Sequence, residues 1–411
     1  MTKKRTLLPL LILLITFTSV NQFSSVPIGN TYSEILLSFI TVTYIFWYKR
    51  KYFRPRNRKD YRIVTIYLVW LSIGIIRGCF IAENYWEWKQ LVQGSLSLSL
   101  PIFVYVFSDP NLLHKVLRIW FKYAIPLFFL FFMWVMVPGA YHFYLGPLYL
   151  IACFLPILPR KWKYLCFFLL IIMLFIAFGA RSQVIKSAIA LLMSLAYILS
   201  KYISNNILKL AHWLCYFLPV VLLGLGISGT FNIFKGMAQN EGKYIEKRII
   251  KGEVINEDLS DDTRTFIYEE VITSAIRHRY VLFGRTPARG NDSAWFGAYN
   301  AEELNTGKYE RHSNEVCHPN VFTWLGLIGM LMYSFLYLKS SYLAVYCSNN
   351  LFMKLLGVFI AFRWAYGWIE DFNSFQIMSI SIWMMIAMGF SASFRQMNNN
   401  MFKTWIRSIF N

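Results

Sequence analysis

Charge is what this sequence has least of. Only 15% of its 411 residues are Asp, Glu, Lys or Arg, against about 25% in an average soluble domain. With 57% hydrophobic residues, 18% aromatics and a mean hydropathy of +0.44, the chain cannot cover a water-facing surface. That excludes an ordinary soluble enzyme and a disordered chain. Cysteine is also scarce. Six are spread along the chain without the paired spacing of a metal site or a disulfide framework, although an oxidising compartment would permit a Cys79–Cys317 bond. Several signatures are missing altogether. There is no Gly-x-x-x-x-Gly-Lys phosphate loop, no His-Glu-x-x-His and no Gly-x-Ser-x-Gly. There is no Asp-x-Asp, and a metal-held nucleotide-sugar site wants closely spaced carboxylates on its cation. No cofactor and no metal is therefore expected.

Long apolar runs are abundant. A membrane-crossing helix takes about 20 mostly apolar residues. Runs lie near 6–22, 32–48, 63–81, 90–107, 119–137, 142–158, 164–180, 183–200, 211–230, 319–338, 351–369 and 374–393. They predict an all-α polytopic membrane protein with about twelve transmembrane helices, because solid apolar runs lack the alternation of a barrel and open strands are not viable in lipid. Three regions follow: a bundle over 1–230, a polar loop over 231–318, and C-terminal helices with a tail over 319–411.

The net charge of +20 has a specific location. Residues 235–315 hold 12 basic and 14 acidic side chains, leaving 29 basic and 7 acidic elsewhere. The excess sits in short segments between apolar runs: Lys3-Lys4-Arg5, Lys49 to Arg62, Arg160-Lys161-Trp162-Lys163, Lys201 to Lys209, and a tail with Arg395, Lys403 and Arg407. Such loops stay in the cytoplasm and meet anionic lipid headgroups, so membrane lipids rather than nucleic acid are the expected partners. The intervening loops carry Glu83, Glu87, Glu370 and Asp371. Both termini are then inside and 231–318 outside. The first run lacks a small-residue cleavage site and is read as retained.

Inside the loop, Asp261-Asp262-Thr263 preceding Arg264-Thr265-Phe266-Ile267-Tyr268 predicts a capped amphipathic helix to about Arg279. Phe283 to Asp292 reads as a turn-rich connection. Ionisable residues within or at the ends of apolar runs are costly, which makes them functional candidates. Arg181 stands between two runs with almost no connection, at the outer interface, where a guanidinium suits phosphate. The same position suits a snorkelling anchor. Lys186, further in, offers a second phosphate contact but reads first as packing, Arg77 reads as an outer-end cation, and Arg363 with Glu370 or Asp371 as a helix-pinning pair. His318 precedes Pro319 at a helix start, and a His there can take a proton from an attacking hydroxyl. Glu315 and His312 can do the same.

Taken in order, these residues resemble a known family. Gly179-Ala180-Arg181-Ser182 joins two spans, and a large loop then opens with Thr263-Arg264-Thr265-Phe266. The loop passes through Phe283-Gly284 and closes with His318-Pro319-Asn320 before Leu325-Gly326-Leu327-Ile328-Gly329. The region 170–390 is similar to the O-antigen ligase/polymerase superfamily of bacterial surface-polysaccharide assembly. The resemblance implies a metal-independent membrane glycosyltransferase of GT-C type in the bacterial inner membrane. Its donor would be an undecaprenyl-pyrophosphate-linked glycan taken at the periplasmic face. Its acceptor would be another lipid-linked repeat unit for a polymerase, or lipid A-core for a ligase, and a chain-length regulator would be a partner. Carried over, Arg181 and Arg264 would engage the pyrophosphate, with Arg311 and Arg77 as further contacts, and His318 or Glu315 would serve the acceptor. The family pattern is His-Asn-x-x-Leu. Here Pro319 is inserted, which shifts the register of His318. A lipid-linked-glycan flippase is the reading of another class, and it requires broken helices and internal repeats.

Overall fold

A computed structural model describes residues 7–176, 181–228, 245–250, 253–258, 265–293 and 296–411. It is mostly helical (76%) with little strand, as an all-α membrane protein should be. The principal helices are α1 (Leu7–Thr18), α2 (Thr31–Tyr52), α3 (Arg62–Ile81), α4 (Tyr85–Leu98), α5 (Pro110–Leu127), α6 (Arg160–Phe175), α7 (Arg181–Ile198) and α8 (Asn205–Ile227). There follow α9 (Thr265–Arg277), α10 (Cys317–Tyr346), α11 (Leu351–Tyr366), α12 (Ile377–Phe390) and α13 (Asn399–Ser408). Two antiparallel pairs lie in the polar loop: β1 (Ile245–Ile250) with β2 (Glu253–Asp258), and β3 (Asn291–Asp292) with β4 (Glu310–Arg311).

The helix starts follow local chemistry. Asn30 accepts from Ser33 N while Ser33 reaches back, closing a capping box on α2. Asp109 caps α5 and Pro110 takes its first turn, where no N–H is needed. Pairing α5 with the following turns gives a 26-residue stretch, Pro110–Val135, that begins nine residues before the expected run.

Among the described residues, five stretches are long and apolar enough to cross a membrane: Arg58–Ile81, Tyr85–Phe107, Pro110–Val135, Asn205–Gly226 and Cys317–Tyr346. The twelve expected spans are not all found among the described residues. The 142–158 run breaks into Tyr141–Tyr144 and Pro147–Ala152, because Pro147 and Pro156 lack the N–H a continuous helix needs. Helices α1, α11 and α12 have 12, 16 and 14 residues, short of a bilayer's thickness.

Helices from before and after the loop share one core. The long α10 packs on α3, α11 and α12. At its centre Tyr67, Tyr333, Tyr337 and Trp383 meet ring to ring, and the Tyr333 hydroxyl donates to Asn373 Oδ1 at 3.0 Å. Helix α12 approaches α10 so closely that a Cβ on Gly389 would stand 2.2 Å from Ser340 Oγ, the small-residue packing expected between helices in lipid. Large apolar side chains on the outside of α2, α3, α6 and α8 remain exposed, which suits a hydrocarbon surround. All six cysteines are free.

The basic loops gather at one end. Arg395 pairs with Asp60 at 2.9 Å, Arg56 bonds Gln396, and Lys339 Nζ donates to Lys59 O. Arg407 Nε donates to Ile157 O at 3.0 Å, and Lys354 Nζ to Asn205 Oδ1. The acidic loops gather at the opposite end, where Lys308 bridges Glu83 and Glu87 at 2.6 and 2.5 Å.

Candidate functional site

The acidic-loop end is organised around a break in α10. Gly326 sits at φ 69°, ψ −176°, a conformation that glycine adopts readily and other residues rarely. The helical bonds that this break removes are replaced from elsewhere. Leu327 and Ile328 donate to the carbonyls of Val281 and Leu282, at 2.8 and 3.4 Å. The carbonyls of Thr323 and Trp324 accept from Arg285 and Thr286, at 2.7 and 3.1 Å. That of Leu325 accepts Trp70 Nε1 at 3.1 Å. Loop residues 281–286 thus fill the gap and keep the broken helix's backbone hydrogen-bonded within the protein, as irregular backbone must be wherever lipid surrounds it. Gly284, at φ 70°, backs directly onto Gly326. Arg77 Nη1 and Nη2 donate to the carbonyls of Phe283 and Gly284, at 2.8 and 3.1 Å. Arg77 therefore holds this loop segment down.

Above the break lies a web of ion pairs. Glu310 is buried and clasped by Arg289, whose Nε lies 2.8 Å away, and by Arg285 at 3.1 Å. Arg285 also meets Asp292 at 3.1 Å, and Asp292 meets His278 at 2.7 Å. Burial pushes the Glu310 carboxyl up, but the two guanidiniums outweigh it and hold it below the usual range. Asp292 behaves likewise: burial is outweighed by His278 and Arg285. His312 is pushed down, chiefly by burial, and neither ring nitrogen has a hydrogen-bond partner.

Beneath the web, residues 314–320 dock against 367–373, the turn between α11 and α12. Cys317 N and His318 N donate to Gly367 O, and Asp371 N donates to Glu315 O. Asn320 accepts from Asn314 N at 2.7 Å and donates to Asp371 Oδ2 at 3.1 Å. The Asn of His-Pro-Asn is therefore a clamp. His318 is fully buried between Trp364 and Trp368, with ring centroids 5.2 and 4.6 Å away. Its Nε2 lies 2.9 Å from Trp364 O. A carbonyl can only accept, so Nε2 carries the hydrogen, and Nδ1 holds a lone pair without a partner.

One residue away is a charged cluster. Lys186 Nζ, fully buried on α7, lies 2.5 Å from Glu370 Oε1. Arg363 Nη2 lies 3.7 Å from Glu370 Oε2, and Arg363 Nε is buried without a hydrogen bond. Gln183 joins through His142 Nδ1, 3.0 Å from its Oε1, and its Nε2 is also unpartnered. Gln183, Lys186, Ser187 and Ala190 form one buried stripe of α7, so the polar residues at its start face inward. Burial pushes Glu370 up, but Lys186 and Arg363 prevail and hold it at about 2. Asp371, facing no such cation pair, is pushed by burial up to about 6.

The structure brings together only some of the residues singled out in the sequence. His318 and Glu315 stand on the same docked segment, beside the Lys186–Glu370–Arg363 cluster. Arg181 is the first residue of α7, about 7.5 Å along the axis from Lys186, and its side chain lies outside the described atoms. Arg264 lies outside the described residues. Arg311 stacks on Phe296 at 4.1 Å and stands 3.6 Å from Glu315, within the loop rather than at the cluster. Arg77 faces backbone carbonyls. Glu370 as the hub, Asp371 and Asn320 as clamps, and the 281–286 insertion were not expected. Among the described residues no group of three or more His, Cys, Asp or Glu side chains is placed to hold a metal. The chain matches no family model, no curated protein and no solved structure.

Proposed function

We propose that this protein is a GT-C-type membrane glycosyltransferase that moves an oligosaccharide from a polyprenyl diphosphate to an acceptor sugar hydroxyl at the periplasmic face. The observation that carries this reading is a buried cluster in which two cations share one carboxylate. Lys186 and Arg363 share the single carboxylate of Glu370, within a turn and a half of Arg181 and beside His318. Guanidiniums and ammoniums in a dry site stabilise charge growing on a departing diphosphate far better than in water. The acceptor oxygen attacks the anomeric carbon, the bond to the diphosphate oxygen breaks, and the diphosphate leaves with the electron pair. The acceptor proton passes to His318 Nδ1, whose lone pair is already set by the Nε2–H bond to Trp364 O. Glu315 is the alternative proton acceptor. Attack opposite the leaving group inverts the anomeric centre. The same chemistry serves a polymerase or a ligase; they differ in acceptor.

A flippase is less well supported. Helix α10 is broken, but its gap is filled by the protein's own backbone rather than left open to a substrate. The deciding experiment uses purified protein with a polyprenyl-diphosphate-linked glycan. Wild type should release free polyprenyl diphosphate and form a longer glycan, and Arg181→Ala should abolish both while inserting normally. Undiminished transfer by Arg181→Ala would remove the diphosphate role, and scrambling without transfer would favour a flippase.

A further inference from the structure

At the opposite, basic end, a cleft of about 610 Å³ opens between the start of α6 and the end of α13. Its cationic lining is Arg160, Lys163 and Arg407, flanked by Leu158, Pro159 and Tyr164, with Asn411 at the margin. No Asp or Glu side chain lines it, and none of the three cations makes an ion pair among the described residues. Arg407 is fixed in place: its Nε donates to Ile157 O at 3.0 Å, which leaves its terminal nitrogens to the cleft. Helix α13 is anchored by buried Phe402 and Ile406, and Trp405 Nε1 donates to Pro110 O at 3.1 Å, so the wall bearing Arg407 is built into the fold.

We propose that this cleft binds the phosphate of an anionic phospholipid headgroup. Three cations lining one cleft without an Asp or Glu side chain call for a phosphate, the Asn411 O at the margin being already held by Arg118 Nη2 at 2.6 Å, and Arg supplies planar bidentate donation to it. A second observation favours a lipid over a free phosphate. Tyr164 at the cleft, then Phe167 and Phe168 one turn on, are 60%, 45% and 55% exposed along α6. An apolar strip therefore leads from the cations along the outside of the helix, where acyl chains would lie. Basic pockets at the ends of membrane helices on the cytoplasmic side suit such headgroups, and that is the side where this end belongs by its charge.

The test is native mass spectrometry of the full chain in detergent, titrated with phosphatidylglycerol, phosphatidylcholine or inorganic phosphate. Wild type should retain one phosphatidylglycerol in preference to phosphatidylcholine. Each cation near a headgroup is worth about fivefold in affinity, so Arg160→Gln with Lys163→Gln should weaken retention roughly 25-fold. Arg407→Gln should weaken it about fivefold, and the charge-conserving Arg160→Lys with Lys163→Arg should restore it. Equal retention of the two lipids, undiminished retention by the double Gln variant, or binding of inorganic phosphate without the lipid would each overturn the proposal.

Discussion

Replacing Glu370 by Gln isolates the charge at the centre of the buried cluster while keeping the side chain's shape. Lys186 Nζ is 2.5 Å from one carboxylate oxygen and fully buried, and Arg363, 4% exposed, is 3.7 Å from the other. At an effective dielectric of about 20 the closer pair alone is worth about 7 kcal/mol of Coulomb energy, most of which offsets the desolvation of both ions. Removing the carboxylate leaves that desolvation uncompensated for two cations, and such changes cost about 3–5 kcal/mol. At roughly 2 °C per kcal/mol for a large domain, the thermal midpoint should fall by about 6–10 °C. Buried Cys153, Cys166 and Cys317 give a direct assay: a thiol-reactive fluorophore reports unfolding once exposed Cys79 and Cys347 and half-buried Cys215 are replaced by Ser. Arg277→Gln is the matched control, because its pair with Asp292 leaves the guanidinium 66% exposed and should be worth less than about 1 kcal/mol. Adding Lys186→Met to Glu370→Gln should recover part of the loss. A fall under 2 °C for Glu370→Gln, or no recovery in the double variant, would refute the view that this carboxylate holds two buried cations.

Three further predictions follow from the geometry. Gly326→Ala should displace residues 281–286, because a Cβ there would stand 2.2 Å from Leu282 O on a left-handed backbone; hydrogen exchange at Arg285 and Thr286 should rise at least tenfold. His318→Gln should keep the donor to Trp364 O and lose the Nδ1 lone pair, so glycan transfer should vanish with an unchanged thermal midpoint. Acid should loosen the docked loop. His312, Glu310, Asp292 and Glu83 have lowered values, so in the folded form these groups bind fewer protons; their contribution is full above the unfolded values and is lost as pH falls, first through His312 below about 6.5 and then through the carboxylates below about 4, whereas Asp371, raised to about 6 and outside 285–312, acts the other way. Exchange across 285–312 should be faster at pH 5 than at pH 7.5 and faster again at pH 3.5; equal rates would contradict the sign.

The membrane character was legible because apolar runs and basic loops are local properties. The amphipathic helix over 265–277 was legible for the same reason, in its period. The pairing of β1 and β2 had a signal that went unread: the apolar pairs Ile249-Ile250 and Val254-Ile255 stand either side of a glycine in the sequence. The broken 142–158 segment was hidden because its composition is apolar throughout, and only Pro147 and Pro156 mark the interruption. Glu370 could be read as a partner for Arg363, but its bond to Lys186 spans 184 residues of sequence, and no local pattern carries that. Arg77 showed the converse. Its position at a helix end fits a headgroup contact equally well, and only the course of residues 283–284 makes it a holder of backbone.

The gap at Gly326 also has a consequence for biogenesis. Residues 281–286 are synthesised before α10, and in the topology read from the charges they cross the membrane before that helix exists. In that topology the segment from Val281 to Thr286 must then fold back against α10 once Thr323 to Ile328 arrive. Until it does, the carbonyls of Thr323 and Trp324 and the amides of Leu327 and Ile328 lack the partners that 281–286 supply. In that topology the last steps of maturation would run inward from the loop side, and any factor that holds residues 281–286 away from α10 would delay completion of the helix itself.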